Sequence, residues 1–124
     1  MKKILVAEDD KFLANAYRVK LTKASYDVTL VADGEETLAA LQKGKFDLII
    51  LDLVMPKKDG FSVLSEMKKN DEWKNIPVIV ASNLGQKEDI EKAMGLGAKD
   101  YIVKTDFAIT GLVAKLQSLI GPAQ

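Results

Sequence analysis

The sequence predicts an α/β protein with a doubly wound, five-stranded parallel sheet. Five short apolar runs recur along the 124 residues, segments with helical periodicity separate them, and turn residues stand at most of the junctions. Strands that alternate with helices of this length are joined by right-handed crossovers into a parallel sheet that is covered on both faces. Because five strands are too few for an eight-stranded barrel, we expect an open sheet in a single domain, residues 1–124.

The predicted strands are rich in valine, isoleucine and leucine. They comprise residues 4–7, 28–32, 48–51, 78–81 and 101–103. The first, third and fourth lack the alternation of polar and apolar residues, which is typical of strands buried on both faces.

The predicted helices lie between the strands and after the last one. The apolar residues of the first recur at intervals of three or four, at Leu13, Tyr17, Leu21 and Ala24. Shorter stripes mark the next three helices, at Leu38/Leu41, Phe61/Leu64/Met67 and Ile90/Ala93/Met94. One face of the fifth helix carries Ile109, Leu112, Val113, Leu116, Leu119 and Ile120.

Turn residues support these boundaries. Asp33-Gly34 and Asp59-Gly60 precede the second and third helices, and Pro77 stands at the start of the fourth strand. Glycines end the second, fourth and fifth helices, at Gly44, Gly95 with Gly97, and Gly121 before Pro122.

Composition narrows the possible chemistry. Hydrophobic residues make up 48% of the chain and charged residues 29%, as in ordinary globular proteins. The 18 basic and 18 acidic residues balance, so there is no electrostatic argument for nucleic acid or an anionic membrane as the main partner. Cysteine and histidine are absent, which excludes disulfides, thiol catalysis, Cys/His zinc sites and Ser-His triads. Any reaction would use carboxylates, hydroxyls, lysines or backbone amides.

No apolar stretch approaches the roughly 20 residues that span a bilayer. The basic start, Met1-Lys2-Lys3, is followed by a short apolar run that ends at Glu8, unlike a secretory signal. We therefore expect a cytoplasmic protein with no membrane partner.

Polar side chains follow four of the predicted strands. They are Glu8, Asp9 and Asp10 after the first, Asp52 after the third, Ser82 after the fourth and Lys104 after the fifth. The carboxyl ends of parallel strands share one edge of the sheet, where ligands bind in open α/β folds. In the flavodoxin-like strand order 2-1-3-4-5, the first and third strands are neighbours, so their carboxylates would converge.

Glu8, Asp9 and Asp52 would repel one another at that edge unless a positive charge intervenes. Lys104 supplies one such charge, and a divalent cation could supply the rest. Oxygen ligands without histidine or cysteine select a hard ion, and so small a set of protein ligands suits Mg²⁺ better than Ca²⁺. A phosphoryl group could then be bridged by the metal and clamped by Lys104 and Ser82, which leaves Asp52 as a possible nucleophile.

Each residue alone also has an ordinary structural interpretation. Residues 8–10 could be acids that cap the first helix, and Asp52 a solvated loop residue. Ser82 with Asn83 looks like a helix start, and Lys104 like a surface lysine. The functional hypothesis therefore depends on their joint placement.

Four blocks of the sequence match one family. Residues 4–10, 52–60, 77–82 and 97–104 closely resemble the response-regulator receiver domain of bacterial two-component signalling, in the same order and at the same spacing. The segment D-x-x-M-P-x-x-D-G at 52–60 is the most specific of the four. The resemblance covers essentially the whole chain.

The resemblance implies a role for each residue. Asp52 would accept a phosphoryl group from a phosphohistidine of a sensor histidine kinase or a histidine phosphotransfer protein. Mg²⁺ would be held by Asp9, Asp52, the backbone carbonyl of Val54 and, through a bound water, Glu8. Ser82 and Lys104 would bind phosphoryl oxygens, and Tyr101 would change rotamer when Ser82 moves.

The resemblance also implies a phosphorylation switch that catalyses its own phosphotransfer and is not a turnover enzyme. The fourth helix, fifth strand and fifth helix would form the switching surface for a downstream protein target or output domain. Because no output domain follows within these residues, we expect direct binding of a partner or phosphate relay, unless the chain is part of a longer regulator.

Some positions depart from the common receiver pattern. Thr105 replaces the usual proline, so we predict a trans peptide after Lys104. Asn83 replaces a smaller residue, which could narrow access to the site. Val54 and Leu84 are apolar where the family's residues line the approach of hydrolytic water, which predicts a long-lived aspartyl-phosphate.

Other functions fit less well. A binding-only pseudo-receiver is disfavoured because Asp9, Asp52, Ser82 and Lys104 are all present. A phosphohydrolase of the haloacid dehalogenase type would carry D-x-D at the nucleophile, whereas Val54 is the second residue after Asp52. A flavodoxin would need Ser, Thr or Gly in its first loop, where this chain has acids.

Overall fold

The computed structural model describes residues 1–104 and 111–123, and within them five strands alternate with five helices. The elements in order are β1 (Lys3–Ala7), α1 (Lys11–Lys23), β2 (Asp27–Val31), α2 (Gly34–Lys43), β3 (Leu48–Leu51), α3 (Gly60–Lys69), β4 (Val78–Ser82), α4 (Lys87–Gly95), β5 (Asp100–Val103) and α5 (Leu112–Ile120). Each predicted strand is present to within one residue at either end. The predictions for Thr105 and Ile109 fall outside the described residues.

The five strands form one parallel sheet in the order β2-β1-β3-β4-β5. This confirms the predicted doubly wound, flavodoxin-like fold. The connections cross to both faces of the sheet, so its central strands are covered on each side, which explains their uninterrupted apolar sequences.

Alternate residues of the strands face two separate cores. Leu5 and Ile49 pack with α2, α3 and α4, whereas Val6, Ile50 and Ile102 pack with α1 and α5. The parallel hydrogen bonding extends one residue beyond β1, β3 and β5. The alternation therefore places the next side chains of those strands at the α1/α5 side of the sheet edge.

Aspartates cap the helices that the sequence analysis singled out. The side chains of Asp10, Asp33 and Asp59 accept hydrogen bonds from backbone N–H groups in the first turns of α1, α2 and α3, at 3.1, 2.8 and 2.9 Å. The interpretation of Ser82 with Asn83 as a helix start was wrong. Ser82 is the last residue of β4, and α4 begins only at Lys87.

Gly60 allows α3 to start against the end of β3. A Cβ atom at this position would lie 2.3 Å from the carbonyl oxygen of Asp52, so no larger residue fits without a shift of the backbone. The Gly60 N–H donates to the carbonyl of Leu53 at 2.9 Å. This close approach fixes the loop that follows Asp52.

No helix in residues 1–104 and 111–123 combines the length and the apolar character that crossing a membrane requires.

Candidate phosphoryl-transfer site

A cavity of about 350 Å³ opens at the carboxyl ends of β1, β3, β4 and β5. Its walls are formed by Glu8, Asp9, Asp10, Asp52, Val54, Ser82, Asn83 and Lys104. The structure thus brings together, at one edge of the sheet, six of the seven site residues predicted from sequence. The seventh, Tyr101, does not line the cavity.

Three carboxylates meet in this cavity. Glu8, Asp9 and Asp52 each offer an oxygen atom, and these atoms all lie within 4.8 Å of one another. Glu8 and Asp52 are buried, whereas Asp9 is exposed at the mouth. A compact set of hard oxygen donors, open on one side, fits a small divalent cation that keeps some of its waters.

Lys104 joins the two buried carboxylates. Its Nζ lies 2.9 Å from Oδ2 of Asp52 and also donates to Oε1 of Glu8. The side chain of Lys104 is only 13% exposed, so both ion pairs are shielded from water. A buried charge is tolerated when a partner compensates it, and here one ammonium group compensates two carboxylates.

The surroundings of the cavity raise the pKa values of the Glu8 carboxyl and of the Lys104 ammonium group. Burial, with a smaller contribution from the charge of Asp52, raises the pKa of Glu8 to about 7, although Lys104 and the Asp10 N–H oppose this. Burial lowers the pKa of Lys104, but its hydrogen bonds to Glu8 and Asp52 outweigh that effect and raise it overall. Lys104 is therefore positively charged at every physiological pH.

Two further contacts orient the edges of the cavity. The N–H of Val54 donates to Oδ1 of Asp52 at 3.2 Å, which holds the Asp52 carboxylate between the 53–54 backbone and Lys104. The Val54 side chain itself is 59% exposed at the mouth. Position 54 therefore contributes an apolar side chain to the cavity wall.

Ser82 and Tyr101 both contact the backbone of Leu84. The buried Ser82 Oγ accepts a hydrogen bond from the Leu84 N–H at 3.2 Å, and the Tyr101 hydroxyl donates to the Leu84 carbonyl. A displacement of the Ser82 hydroxyl would therefore change the hydrogen bonding of Leu84, whose carbonyl accepts the hydrogen bond from Tyr101.

Sequence reasoning missed two aromatic residues of α1 that lie beside the site. Tyr17 was assigned only to the apolar stripe, yet burial raises the pKa of its phenol and the charges of Lys104, Glu8 and Asp52 also contribute to that pKa. Phe12 was not considered at all, and it is 92% exposed, two residues after the Asp10 that lines the cavity. The signals in the sequence were a tyrosine at a core position and a phenylalanine outside the stripe.

Known proteins resemble this chain in sequence and in fold. Residues 4–117 match the response regulator receiver domain family. A probable transcriptional regulator, ycf27, of Cyanophora paradoxa is 38% identical over 119 residues, which are 96% of this chain and 48% of that protein. The chain thus spans about half the length of the curated relatives it matches.

Solved structures agree with the sequence comparisons. The Francisella response regulator 1452 receiver domain is 33% identical with a TM-score of 0.89, and the match covers 97% of each chain. The receiver domain of the Pseudomonas aeruginosa sensor histidine kinase PA1611, with a magnesium ion coordinated in its active site cleft, is 29% identical with a TM-score of 0.87 and covers 97% of this chain and 98% of that one. With its five-stranded sheet and its match from residue 4 to residue 117, the chain belongs to the response regulator receiver domain family.

Proposed function

We propose that this chain is a phosphorylation-activated signalling receiver that takes a phosphoryl group onto Asp52 in a Mg²⁺-dependent reaction. The observation that carries the proposal is the Lys104 ammonium group, which bridges Glu8 and Asp52 in a cavity also lined by Asp9 and Ser82. The family signals by phosphorylation, and this cavity has the groups that such a reaction needs.

The residues of the cavity fit the metal. The carboxylates of Asp9 and Asp52 and the backbone carbonyl of Val54 would hold Mg²⁺, and Glu8 would hold a water bound to it. The mutual approach of the three carboxylates within 4.8 Å supports this assignment. A bound Mg²⁺ would neutralise negative charge that develops on the phosphoryl oxygens during transfer.

The transfer step exchanges one bond to phosphorus for another. A carboxylate oxygen of Asp52 forms the new P–O bond, while the P–N bond to the donor histidine breaks and its electron pair returns to the imidazole nitrogen. Lys104 and Ser82 bind oxygens of the transferred group. Since both already border the cavity, neither needs to travel far to do so.

A protein donor suits the surface around the cavity. Receiver domains of response regulators interact with histidine kinases, and Phe12 presents an exposed ring in the first turn of α1, two residues after Asp10 of the cavity wall. The protein that delivers the phosphoryl group must approach this wall, and aromatic side chains are enriched in protein–protein interfaces. We assign Phe12 to the contact with the phosphohistidine-bearing protein.

The contacts of Ser82 suggest how the signal leaves the site. When its hydroxyl turns to a phosphoryl oxygen, the Leu84 N–H loses its acceptor and the segment that holds Tyr101 is released. Tyr101 belongs to β5, so the change reaches the surface formed by α4, β5 and α5. A downstream protein target or output domain would read that surface.

Acetyl phosphate with Mg²⁺, followed by intact mass, tests the proposal. The wild-type chain should gain one phosphoryl group, and Asp52→Asn should gain none. Asp47→Asn, which changes an acid at the opposite edge of the sheet, should still be labelled. A folded wild-type chain that stays unmodified with both acetyl phosphate and beryllofluoride would instead indicate a binding-only module.

A further inference from the structure

Tyr17 is buried in the core between the sheet and helices α1 and α5, the side on which Glu8, Asp52 and Lys104 leave the strands. It is 6% exposed and belongs to the core on the α1/α5 side, together with Val6, Ile50 and Ile102. These three residues precede Glu8, Asp52 and Lys104 by two positions each, and side chains two apart along a strand share a face. The core that contains Tyr17 therefore continues into the buried ion pairs.

The direction of α1 brings the phenol toward that cluster. The helix begins at the cavity wall with Asp10 as its cap, and Tyr17 follows about 10 Å further along the axis. Side chains on a helix lean toward its N-terminus, so the ring of Tyr17 is inclined back toward the cavity. Burial raises the pKa of Tyr17 to about 12, with the charges of Lys104, Glu8 and Asp52 as the further contributors. The hydroxyl is thus neutral, at the cavity side of the core that Tyr17 shares with Val6, Ile50 and Ile102.

The Lys104 ammonium group has one N–H donor that a neutral acceptor such as the Tyr17 hydroxyl could use. The group has three N–H donors, and two of them are used by Glu8 and Asp52. Asp52 would also be a ligand of Mg²⁺, and Glu8 would hold a water bound to it, so both carboxylates would hold Lys104 less tightly when the phosphoryl group is present. A neutral acceptor can hold the ammonium without competing for the metal and without adding negative charge.

We propose that Tyr17 is a positioning residue for phosphoryl transfer, whose hydroxyl oxygen accepts a hydrogen bond from Lys104 when Mg²⁺ and the phosphoryl group occupy the site. This inference rests on the proposed function. It adds a residue of α1 to a site otherwise built from the ends of strands.

Tyr17→Phe tests the inference against a matched control, Tyr26→Phe. Both tyrosines are buried on the α1/α5 side, and each substitution removes one hydroxyl. The Tyr26 hydroxyl donates to the carbonyl of Gly121 at 3.2 Å, and no charged residue of the cavity contributes to its pKa shift. Mg²⁺-dependent binding of beryllofluoride, followed by backbone amide NMR, should be about tenfold weaker in Tyr17→Phe and unchanged in Tyr26→Phe.

A second measurement separates positioning from a general loss of packing. The ¹⁵N-bound protons of the Lys104 ammonium group should exchange slowly with water in the beryllofluoride complex of the wild type. They should exchange measurably faster in the Tyr17→Phe complex at saturating ligand, and at the wild-type rate in Tyr26→Phe. Thermal unfolding establishes that both variants are folded at the temperature used.

These experiments distinguish failure of the Tyr17 inference from failure of the proposed function. Equal affinity and equal ammonium exchange in the wild type and Tyr17→Phe overturn the inference and leave the proposed function intact. Equal weakening in both tyrosine variants also overturns it, because the effect would then belong to the core. If the wild type itself binds no beryllofluoride with Mg²⁺, the proposed function fails, and the inference fails with it.

Discussion

Lys104 Nζ and Asp52 Oδ2 are 2.9 Å apart in a part of the cavity that water hardly reaches. The two residues are 52 positions apart in the chain and meet because β3 and β5 both end at the same edge of the sheet. The same ammonium group also contacts Glu8. One cation thus stabilises two buried anions, and several predictions about charge, metal and phosphate depend on that arrangement.

Replacing Lys104 with methionine should destabilise the metal-free protein at pH 8. Glu8 and Asp52 would lose their shared partner while they remain buried, and an uncompensated buried charge costs several kcal/mol. We expect a loss of about 2–4 kcal/mol in the free energy of unfolding, measured by urea denaturation. The loss should be smaller at pH 5, where Glu8 can take up a proton. Lys115→Met, which removes the more exposed pair with Asp100, should cost less than about 1 kcal/mol.

The metal-free protein should lose stability between pH 4.5 and pH 7 through Glu8. Its pKa is about 7 in the fold and 4.5 ordinarily, so the folded state binds the proton more tightly than the unfolded chain. The contribution of Glu8 to the free energy of unfolding, about 1–3 kcal/mol, is therefore fully present below pH 4.5 and is lost as the pH rises through 7. Urea denaturation across this range checks it. Glu8→Gln should show a correspondingly flatter profile, and an unchanged profile would contradict the assignment.

Mg²⁺ should stabilise the wild type by relieving repulsion among the three carboxylates. At ten times its dissociation constant, a single bound ion adds about 1.4 kcal/mol, which a thermal unfolding curve detects as a higher Tm. Asp9→Asn should abolish most of this increase because it removes the exposed ligand at the mouth. The control Asp47→Asn should keep it. A Tm increase of equal size in both variants would place the ion elsewhere.

Phe12→Ala should slow phosphoryl transfer from a histidine kinase but not from acetyl phosphate. Because the ring is 92% exposed, its removal should change the free energy of unfolding by less than about 0.5 kcal/mol and leave labelling by acetyl phosphate unchanged. Transfer from a histidine kinase that phosphorylates the wild type should become roughly tenfold slower, as expected for the loss of an aromatic interface contact. Val19→Ala, an exposed apolar residue farther along α1, serves as the control. Equal rates for all three proteins would exclude Phe12 from the docking contact.

The aspartyl-phosphate should be long-lived in the wild type. Val54 places an exposed apolar side chain at the cavity mouth, where it cannot orient an attacking water. Val54→Asn supplies a polar group at that position and should speed the loss of phosphate about tenfold. The decay is followed by intact mass after the donor is removed. Rapid, Mg²⁺-dependent loss from the wild type would refute the prediction.

The fold could be predicted from the sequence because its signals are local. The uninterrupted apolar runs of β1, β3 and β4, the helical stripes between the strands, and the capping residues Asp33 and Asp59 each reflect a physical requirement of a single element. Parallel connections and burial on both faces then leave few ways to arrange five such units. The types of side chain in the site could also be predicted from the sequence, because they belong to residues that stand directly after the strands.

The tertiary structure decided what depends on distances across the sheet. No local pattern shows that one ammonium group contacts both Glu8 and Asp52, that burial brings the Glu8 pKa to about 7, or that Ser82 ends a strand with α4 starting five residues later. Nor does a core stripe reveal that these charges contribute to the pKa of the Tyr17 phenol while Phe12 is left in solvent. The sequence determined which groups arrive at the edge of the sheet. Their contacts depend on how α1 packs against the strands, because the dielectric and the pairing of a charge are properties of its three-dimensional surroundings.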